Sequence, residues 1–155
     1  MQFSQEPSQA FWHIVSYDPV LGEIKIVQKK ISEQKISEKK ICTAPIWIYE
    51  KNLATWIDSG LDIPDKNAFV LTPEFLNYWL EKLEKLERVG GLADDSQGLV
   101  ILFGMGAART LPSRAVLDFA QVSKISLEVM PTEAACRTYN LLASDGRNVL
   151  ALLVP

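Results

Sequence analysis

Two uninterrupted apolar runs in the C-terminal half of the chain carry the clearest structural signal. Residues 99–103 and 149–154 contain no polar side chain, which is typical of strands buried on both faces of a parallel sheet covered by helices. Between them, residues 125–129 alternate apolar and polar side chains as a strand does. Helical segments separate the three strands, so the order from residue 99 onward is β-α-β-α-β. This order predicts a layered α/β domain.

Three helices are predicted, each after a residue whose side chain can accept hydrogen bonds from the free N–H groups of a first helical turn. The predicted caps and helices are Thr72 before residues 73–88, Ser113 before residues 114–121, and Thr132 before residues 133–143. Pro73 suits the first position of its helix. The same helix carries an apolar stripe opposite glutamates and lysines, and it ends at Gly90.

The first half of the chain is dominated by strand patterns. Residues 12–17 and 23–27 flank a turn at residues 18–22 and predict a β-hairpin. Isoleucine then recurs at positions 31, 36 and 41, a spacing that fits neither a strand nor a helix, so we expect a short strand with an irregular bend. Residues 44–49 predict another strand. Leu53, Trp56 and Ile57 lie at helical spacing.

Length and composition indicate one globular domain. The chain has 155 residues, of which 48% are hydrophobic and 23% charged, and its formal net charge is −3. These values exclude a disordered chain and give no general attraction to nucleic acid. We predict a loose arm over residues 1–10 and a single α/β domain over residues 11–155.

Cysteine usage and the first residues predict a bacterial cytoplasmic protein. Cys42 and Cys136 are the two cysteines, and no paired Cys or His spacing suggests zinc. Residues 1–9 lack the apolar stretch of a signal peptide and the arginines of a transit peptide. No apolar run approaches the roughly 18–20 residues needed to span a bilayer. We therefore predict no metal, no cofactor and no membrane span.

Several motifs in the C-terminal half resemble the family of the mitochondrial complex I assembly factor 3 and its bacterial relatives. The glycine loop Phe103-Gly104-Met105-Gly106 is followed by Leu111-Pro112, and the most recognisable stretch covers residues 127–140. Residues 145–149 resemble the end of the family pattern, whereas the first half resembles it only around residues 16–18 and Trp56. The resemblance implies a three-layer fold around a mixed central sheet, no assigned enzymatic activity, and a role like that of the members that help to assemble respiratory complex I.

The glycine loop allows more than one interpretation. Gly104 and Gly106 follow a buried strand, where open α/β sheets commonly bind ligands, and Arg109 just beyond them suits an anion. A dinucleotide site is disfavoured, because a third glycine opening a helix is missing. A tight turn that lets the backbone pack closely is the favoured alternative, and an anion or small-molecule pocket stays open.

The last predicted helix carries the other candidate residues. Cys136 is either a small core residue or a nucleophile activated by the helix N-terminus, although the single histidine, His13, has no evident pairing with it. Arg137 either pairs with Glu133 one turn earlier or faces a pocket or partner. Asn140 either satisfies backbone groups near the glycine loop or binds a ligand.

The lysines of the first half are interleaved with glutamates and no aromatic residue punctuates them. This arrangement favours a solvated hairpin that resists aggregation over a nucleic-acid site.

Together these observations predict a non-catalytic protein-interaction or assembly module that meets a protein partner through residues 104–109 and Arg137. The candidate binding residues are Gly104, Gly106, Arg109, Arg137 and Asn140, and no catalytic residue is assigned. The alternative is a small-molecule or anion-binding protein, or a cryptic enzyme, that uses the same glycine loop.

Overall fold

The computed structural model describes residues 10–30, 36–56, 71–90, 98–106 and 111–155. Within these ranges the chain forms eight strands and three helices. In chain order they are β1 (Ala10–Asp18), β2 (Glu23–Lys30), β3 (Ile36–Cys42), β4 (Ile46–Tyr49), β5 (Asn52–Thr55), α1 (Pro73–Gly90), β6 (Val100–Met105), α2 (Arg114–Val122), β7 (Ser126–Met130), α3 (Thr132–Ser144) and β8 (Val149–Val154).

The two apolar runs form the middle of a five-stranded sheet. Its strand order is β5-β4-β8-β6-β7. β8 runs parallel to β6 and antiparallel to β4, and β6 runs parallel to β7. Strands with neighbours on both edges and packed layers on both faces need apolar side chains at successive positions. The prediction of interior strands is confirmed, and so is the mixed central sheet.

Side chains along β8 alternate between two hydrophobic clusters, one on each face of this sheet. Val149, Ala151 and Leu153 join a cluster that contains buried residues of β1, β2 and α3. Leu150 and Leu152 join a second cluster with buried residues of α1 and α2. The five-stranded sheet therefore lies between a layer of α1 and α2 and a layer that contains α3 and a second sheet, which confirms the three-layer α/β fold.

The second sheet is antiparallel, in the order β1-β2-β3, and it contains the predicted hairpin. In the turn, one carboxylate oxygen of Asp18 accepts hydrogen bonds from the N–H groups of Val20 and Leu21, at 2.9 and 3.1 Å. The register of β1 shifts at Val15, and such a bulge lets Ile14 and Tyr17 pack against the same cluster.

β3 matches the expected short and irregular strand. Its register against β2 shifts between Gln28 and Lys29. The first part of the isoleucine repeat, residues 31–35, lies outside the described residues. So do residues 1–9 of the predicted arm, while Ala10 already belongs to β1.

The helical spacing predicted after residue 50 is wrong where the structure describes it, because Asn52–Thr55 is strand β5, paired with β4. A turn with Glu50 at φ 53° reverses the chain. Trp56 then donates its backbone N–H to Pro45 and its indole N–H to Ile46, each at 2.9 Å. Three apolar positions are too few to distinguish the two periods, and these hydrogen bonds decide for the strand.

Two of the three predicted helix caps are confirmed. The hydroxyl of Thr72 accepts from the N–H of Phe75 at 3.2 Å, and that of Ser113 accepts from the N–H of Val116 at 3.3 Å. The third cap is wrong. Thr132 is the first residue of α3, the cap position belongs to Pro131, and no side chain caps this helix.

We expect Leu150→Ala to lower the free energy of unfolding by about 2–5 kcal/mol, because Leu150 is fully buried in the middle strand and truncation leaves a cavity. Leu141→Ala is the matched control, since Leu141 is 66% exposed on α3 and the same truncation there should change stability by less than about 0.5 kcal/mol. Urea denaturation followed by tryptophan fluorescence measures both. Equal losses in the two variants would contradict the interior position of β8.

Candidate functional site

Gly104 lies near the end of β6, directly against α3. A side chain at this position would place its Cβ 3.0 Å from Ala135 Cβ, 3.0 Å from Leu153 Cδ2 and 3.2 Å from Thr132 Cα. The absence of a side chain therefore lets the helix approach the sheet closely. The space behind Gly104 is filled by protein atoms, which favours the packing interpretation of the glycine loop.

Gly106 uses both of its backbone polar groups inside the protein. Its N–H donates to the hydroxyl of Thr132 at 2.6 Å, and its carbonyl accepts from the backbone N–H of Thr132 at 2.9 Å. Its φ of 68° lies in the left-handed region that favours glycine. An anion-binding loop needs N–H groups that point at the ligand, and the N–H of Gly106 points at Thr132 instead.

Thr132 connects the glycine loop to the end of the chain. It is fully buried, and its hydroxyl donates to the carbonyl of Val154 at 2.5 Å while it accepts from Gly106. One side chain therefore joins the segment after β6, the start of α3 and the end of β8. The sequence predicted Thr132 as a helix cap and did not indicate this role. The residue type shows that a hydroxyl is present, but not which distant backbone groups it will bind.

Arg109 lies outside the described residues, so its part in the candidate site stays a prediction.

Asn140 satisfies backbone groups, but those of β1 rather than those of the glycine loop. Its side-chain carbonyl accepts from the N–H of Ile14 at 2.9 Å, and its amide donates to the carbonyl of Ile14 at 2.8 Å. The amide thus takes the place of a neighbouring strand, next to the bulge at Val15. These two hydrogen bonds connect α3 to β1, and they thereby join the helix and the three-stranded sheet within the layer that they share.

Arg137 faces solvent on α3. Its guanidinium donates to Glu133 one turn earlier at 3.2 Å, and the two side chains are 69% and 72% exposed. Exposed pairs at this spacing contribute only about 0.3–0.5 kcal/mol. The charge of Arg137 therefore stays available to a group outside the molecule.

Cys136 is a core residue. It is buried in the cluster that α3 shares with β8, and burial raises the pKa of its thiol to about 12, while Arg137 lowers that pKa and Glu133 raises it. A thiol with this pKa is protonated at neutral pH and is a poor nucleophile. His13 was considered above as a base for Cys136, and its pKa is lowered by burial and by nearby Lys29.

Tyr17 belongs to the same region, although the sequence did not single it out as a site residue. Burial raises the pKa of its hydroxyl, as do Cys136, Glu133 and Asp18, while a hydrogen bond with the Thr132 side chain lowers it. Tyr17 is thus close to the start of α3, despite lying more than a hundred positions earlier in the chain. The only sequence signal was the weak family resemblance of residues 16–18.

Within the described residues, no three His, Cys, Asp or Glu side chains are grouped so that they could hold a metal ion. None of the helices in those ranges is both long and apolar enough to cross a bilayer.

Two relatives match part of the chain. It is 34% identical over 58 residues to the NADH dehydrogenase (ubiquinone) 1 alpha subcomplex assembly factor 3 of Drosophila melanogaster, a match that covers 36% of this chain and 30% of that protein. It is 33% identical over 55 residues to the 13 kDa major membrane protein of Francisella tularensis subsp. holarctica (strain LVS), covering 36% and 45%. The chain therefore spans less than half the length of these relatives.

Solved structures of low sequence identity share the fold. A Xanthomonas campestris protein solved by NMR is 22% identical, with a TM-score of 0.59 and coverage of 99% of this chain and 92% of that one. A Bordetella pertussis protein described as an Mth938-like domain is 19% identical, with a TM-score of 0.59 and coverage of 100% and 92%. A Bartonella henselae protein described as an outer membrane protein is 20% identical, with a TM-score of 0.58 and 96% coverage of both.

The model of a family described as "Protein of unknown function (DUF498/DUF598)" matches residues 29–154. This match and the assembly-factor relative confirm the resemblance that the glycine loop and the last helix indicated.

We expect Thr132→Val to lower the free energy of unfolding by about 1–3 kcal/mol, because the change keeps the shape of the side chain but leaves the N–H of Gly106 and the carbonyl of Val154 without their partner. Thr132→Ser retains the hydroxyl and should lose much less. Chemical denaturation of the two variants checks the difference. A valine variant as stable as the wild-type protein would show that the hydroxyl is not a structural link.

Alkylation provides a test of Cys136. In a Cys42→Ser background, iodoacetamide at neutral pH should modify the folded protein far more slowly than it modifies the urea-unfolded chain, because the folded thiol is buried and its pKa is about 12. Mass spectrometry of timed samples gives both rates. Labelling of the folded protein as fast as that of the unfolded chain would revive the nucleophile hypothesis.

Proposed function

We propose that this chain, which belongs to the DUF498/DUF598 family of proteins of unknown function, is a non-catalytic protein-interaction module of the assembly-factor kind, acting in the cytoplasm. Its partner surface is the outward side of α3 around Arg137, next to the glycine loop at Gly104 and Gly106. Arg109, which lies outside the described residues, stays a predicted member of this surface.

One observation carries the proposal: the polar groups of the loop and of α3 divide into those used internally and those left outside. Gly106 is bonded to Thr132, Thr132 to Val154, and Asn140 to Ile14. Arg137, by contrast, forms an exposed ion pair with Glu133, and the described residues give it no other ion pair. Groups committed to the fold cannot recognise a ligand without breaking structural hydrogen bonds, whereas an exposed guanidinium presents forked donors to a partner carboxylate.

The chemistry around α3 supports binding over catalysis. A general base or a nucleophile needs a pKa near the working pH. Burial moves the pKa of the Cys136 thiol and of the Tyr17 hydroxyl upward, away from neutrality. The two groups that approach each other at the start of α3 thus both hold their protons at neutral pH.

The assembly-factor relative supports the same direction. That protein is named as an assembly factor of an NADH dehydrogenase subcomplex, and its match covers about a third of this chain. We propose by analogy that the partner here is a protein chain awaiting assembly, with a subunit of a respiratory complex as the first candidate.

The rival hypothesis of a small-molecule or anion site at the glycine loop has less support. The space behind Gly104 is occupied, and the N–H of Gly106 is engaged. Arg109 is the predicted anion-binding residue that lies outside the described residues, and the experiment below tests it by substitution.

We expect Arg137→Ala to reduce the amount of partner captured in an affinity pulldown from the native host, quantified by mass spectrometry, while the melting temperature changes by about 2 °C or less, because an exposed pair contributes under about 0.5 kcal/mol. Arg114→Ala is the matched control, since Arg114 forms an equivalent exposed pair with Asp118 on α2. Arg109→Ala is measured alongside.

Full capture by Arg137→Ala together with a clear loss of stability would contradict the proposal and make the Glu133 pair structural. Full capture by both Arg137→Ala and Arg109→Ala, with unchanged stability, would show that the partner surface lies elsewhere.

A further inference from the structure

β3 is an edge strand of the three-stranded sheet. In the described part of the chain it pairs with β2 alone. Every residue from Ile36 to Ile41 is exposed, and Cys42 is half-buried. An unpaired edge presents a row of backbone N–H and C=O groups, and these groups pair readily with another extended chain.

A groove of about 400 Å³ runs beside the C-terminal end of β3. The groove is lined by Lys40, Ile41 and Cys42 of β3, by Leu53 and Ala54 of β5, and by Ile46 of β4. β5 is the outermost strand of the five-stranded sheet. The groove thus lies between one end strand of each sheet, and its lining combines apolar side chains with Lys40, Thr43 and Thr55. A groove of this size is large enough for a few side chains.

The charge around β3 is opposite in sign to that of the whole protein. The described strands β2 and β3 carry five lysines and two glutamates, whereas the chain as a whole has a net charge of −3. Lys39 is exposed, and the ammonium of Lys40 lies 3.5 Å from Glu38 and 5.5 Å from the centre of the Trp12 ring. This local excess of lysine over glutamate favours an acidic chain over a second copy, which carries the same excess.

We propose that the outer edge of β3, together with this groove, binds an extended acidic segment of another protein by strand addition. Backbone hydrogen bonds to β3 would supply the orientation. The order of side chains on β3 defines the segment: two acidic residues opposite Lys39 and Lys40, next to two apolar residues opposite Ile41 and Cys42. Because successive side chains point to opposite faces, one apolar residue enters the groove beside Cys42 and the other covers Ile41, which is 62% exposed.

This inference goes beyond the proposed function and does not depend on it. It involves β3 and β5, whereas the proposed partner surface involves α3. The two can therefore fail separately.

The probe is a fluorescent synthetic peptide of about eight residues, roughly 26 Å when extended, with two valines followed by two glutamates between threonines. A second peptide carries lysines in place of the glutamates. Fluorescence anisotropy should show binding of the glutamate peptide that weakens with added salt, and little binding of the lysine peptide. Hydrogen exchange of the complex should show new protection in β3 amides, because strand addition pairs the outer edge.

Lys39→Glu should weaken binding of the glutamate peptide about fivefold, the effect of replacing one exposed attraction with a repulsion, and should improve binding of the lysine peptide. Lys85→Glu on α1 makes the same charge change at an exposed position away from β3, and it should leave both affinities unchanged. Circular dichroism confirms that each variant is folded, and Lys39→Gln replaces Lys39→Glu if the latter is not.

Absence of binding by the glutamate peptide would overturn the proposal. So would equal binding of the two peptides, equal affinity in the Lys39 variant, or exchange protection confined to other strands. Protection of β3 that rises with protein concentration without peptide would assign this edge to a second copy of the chain instead.

Discussion

The fold depends on the burial of β8, which is paired along both edges and covered on both faces. This strand has β4 on one edge and β6 on the other, and its successive side chains alternate between the two hydrophobic clusters. A strand with these neighbours is stable only when both faces are covered, since apolar area left in water costs about 25 cal/mol per Å². The helices α1 and α2 cover one face. The other face needs α3 and the three-stranded sheet together, which explains why the hairpin at the start of the chain packs on the strand at its end.

The attachment of α3 determines what remains for function. Gly104 lets the helix approach β6, and Thr132 connects the helix to both Gly106 and Val154. Asn140 fastens the next turns of the helix to β1 through Ile14. Through these contacts the glycine loop, which most resembles a ligand-binding loop, attaches α3 to the central sheet. Arg137 on the same helix is exposed and keeps its charge in solvent, where a partner from outside can use it.

The two surfaces proposed for binding differ in physical character. The α3 surface presents a charged side chain on a rigid helix, whereas the β3 edge presents backbone hydrogen bonds beside an apolar groove and a local excess of lysines. A module that carries both surfaces can hold a folded partner and an extended segment at the same time. Two linked binding surfaces raise the overall affinity even when neither surface gains a contact. Such an arrangement fits an assembly role better than it fits the handling of a small molecule.

The sequence by itself determined the elements whose signal is local. Uninterrupted apolar runs identified the interior strands β6 and β8, and the caps Thr72 and Ser113 identified the starts of α1 and α2, because each signal depends on neighbours within a few residues. The family resemblance added the mixed sheet and three layers. Tertiary structure alone decided the rest. Leu53 and Trp56 became part of a strand and its flank because hydrogen bonds to Pro45 and Ile46 overrode a weak periodicity. Thr132 became a crosslink because β8 ends beside it, and Asn140 reached Ile14 of β1 across 126 positions of the chain. A hydroxyl or amide shows in the sequence that it will find partners, but only the packing of distant segments decides which ones.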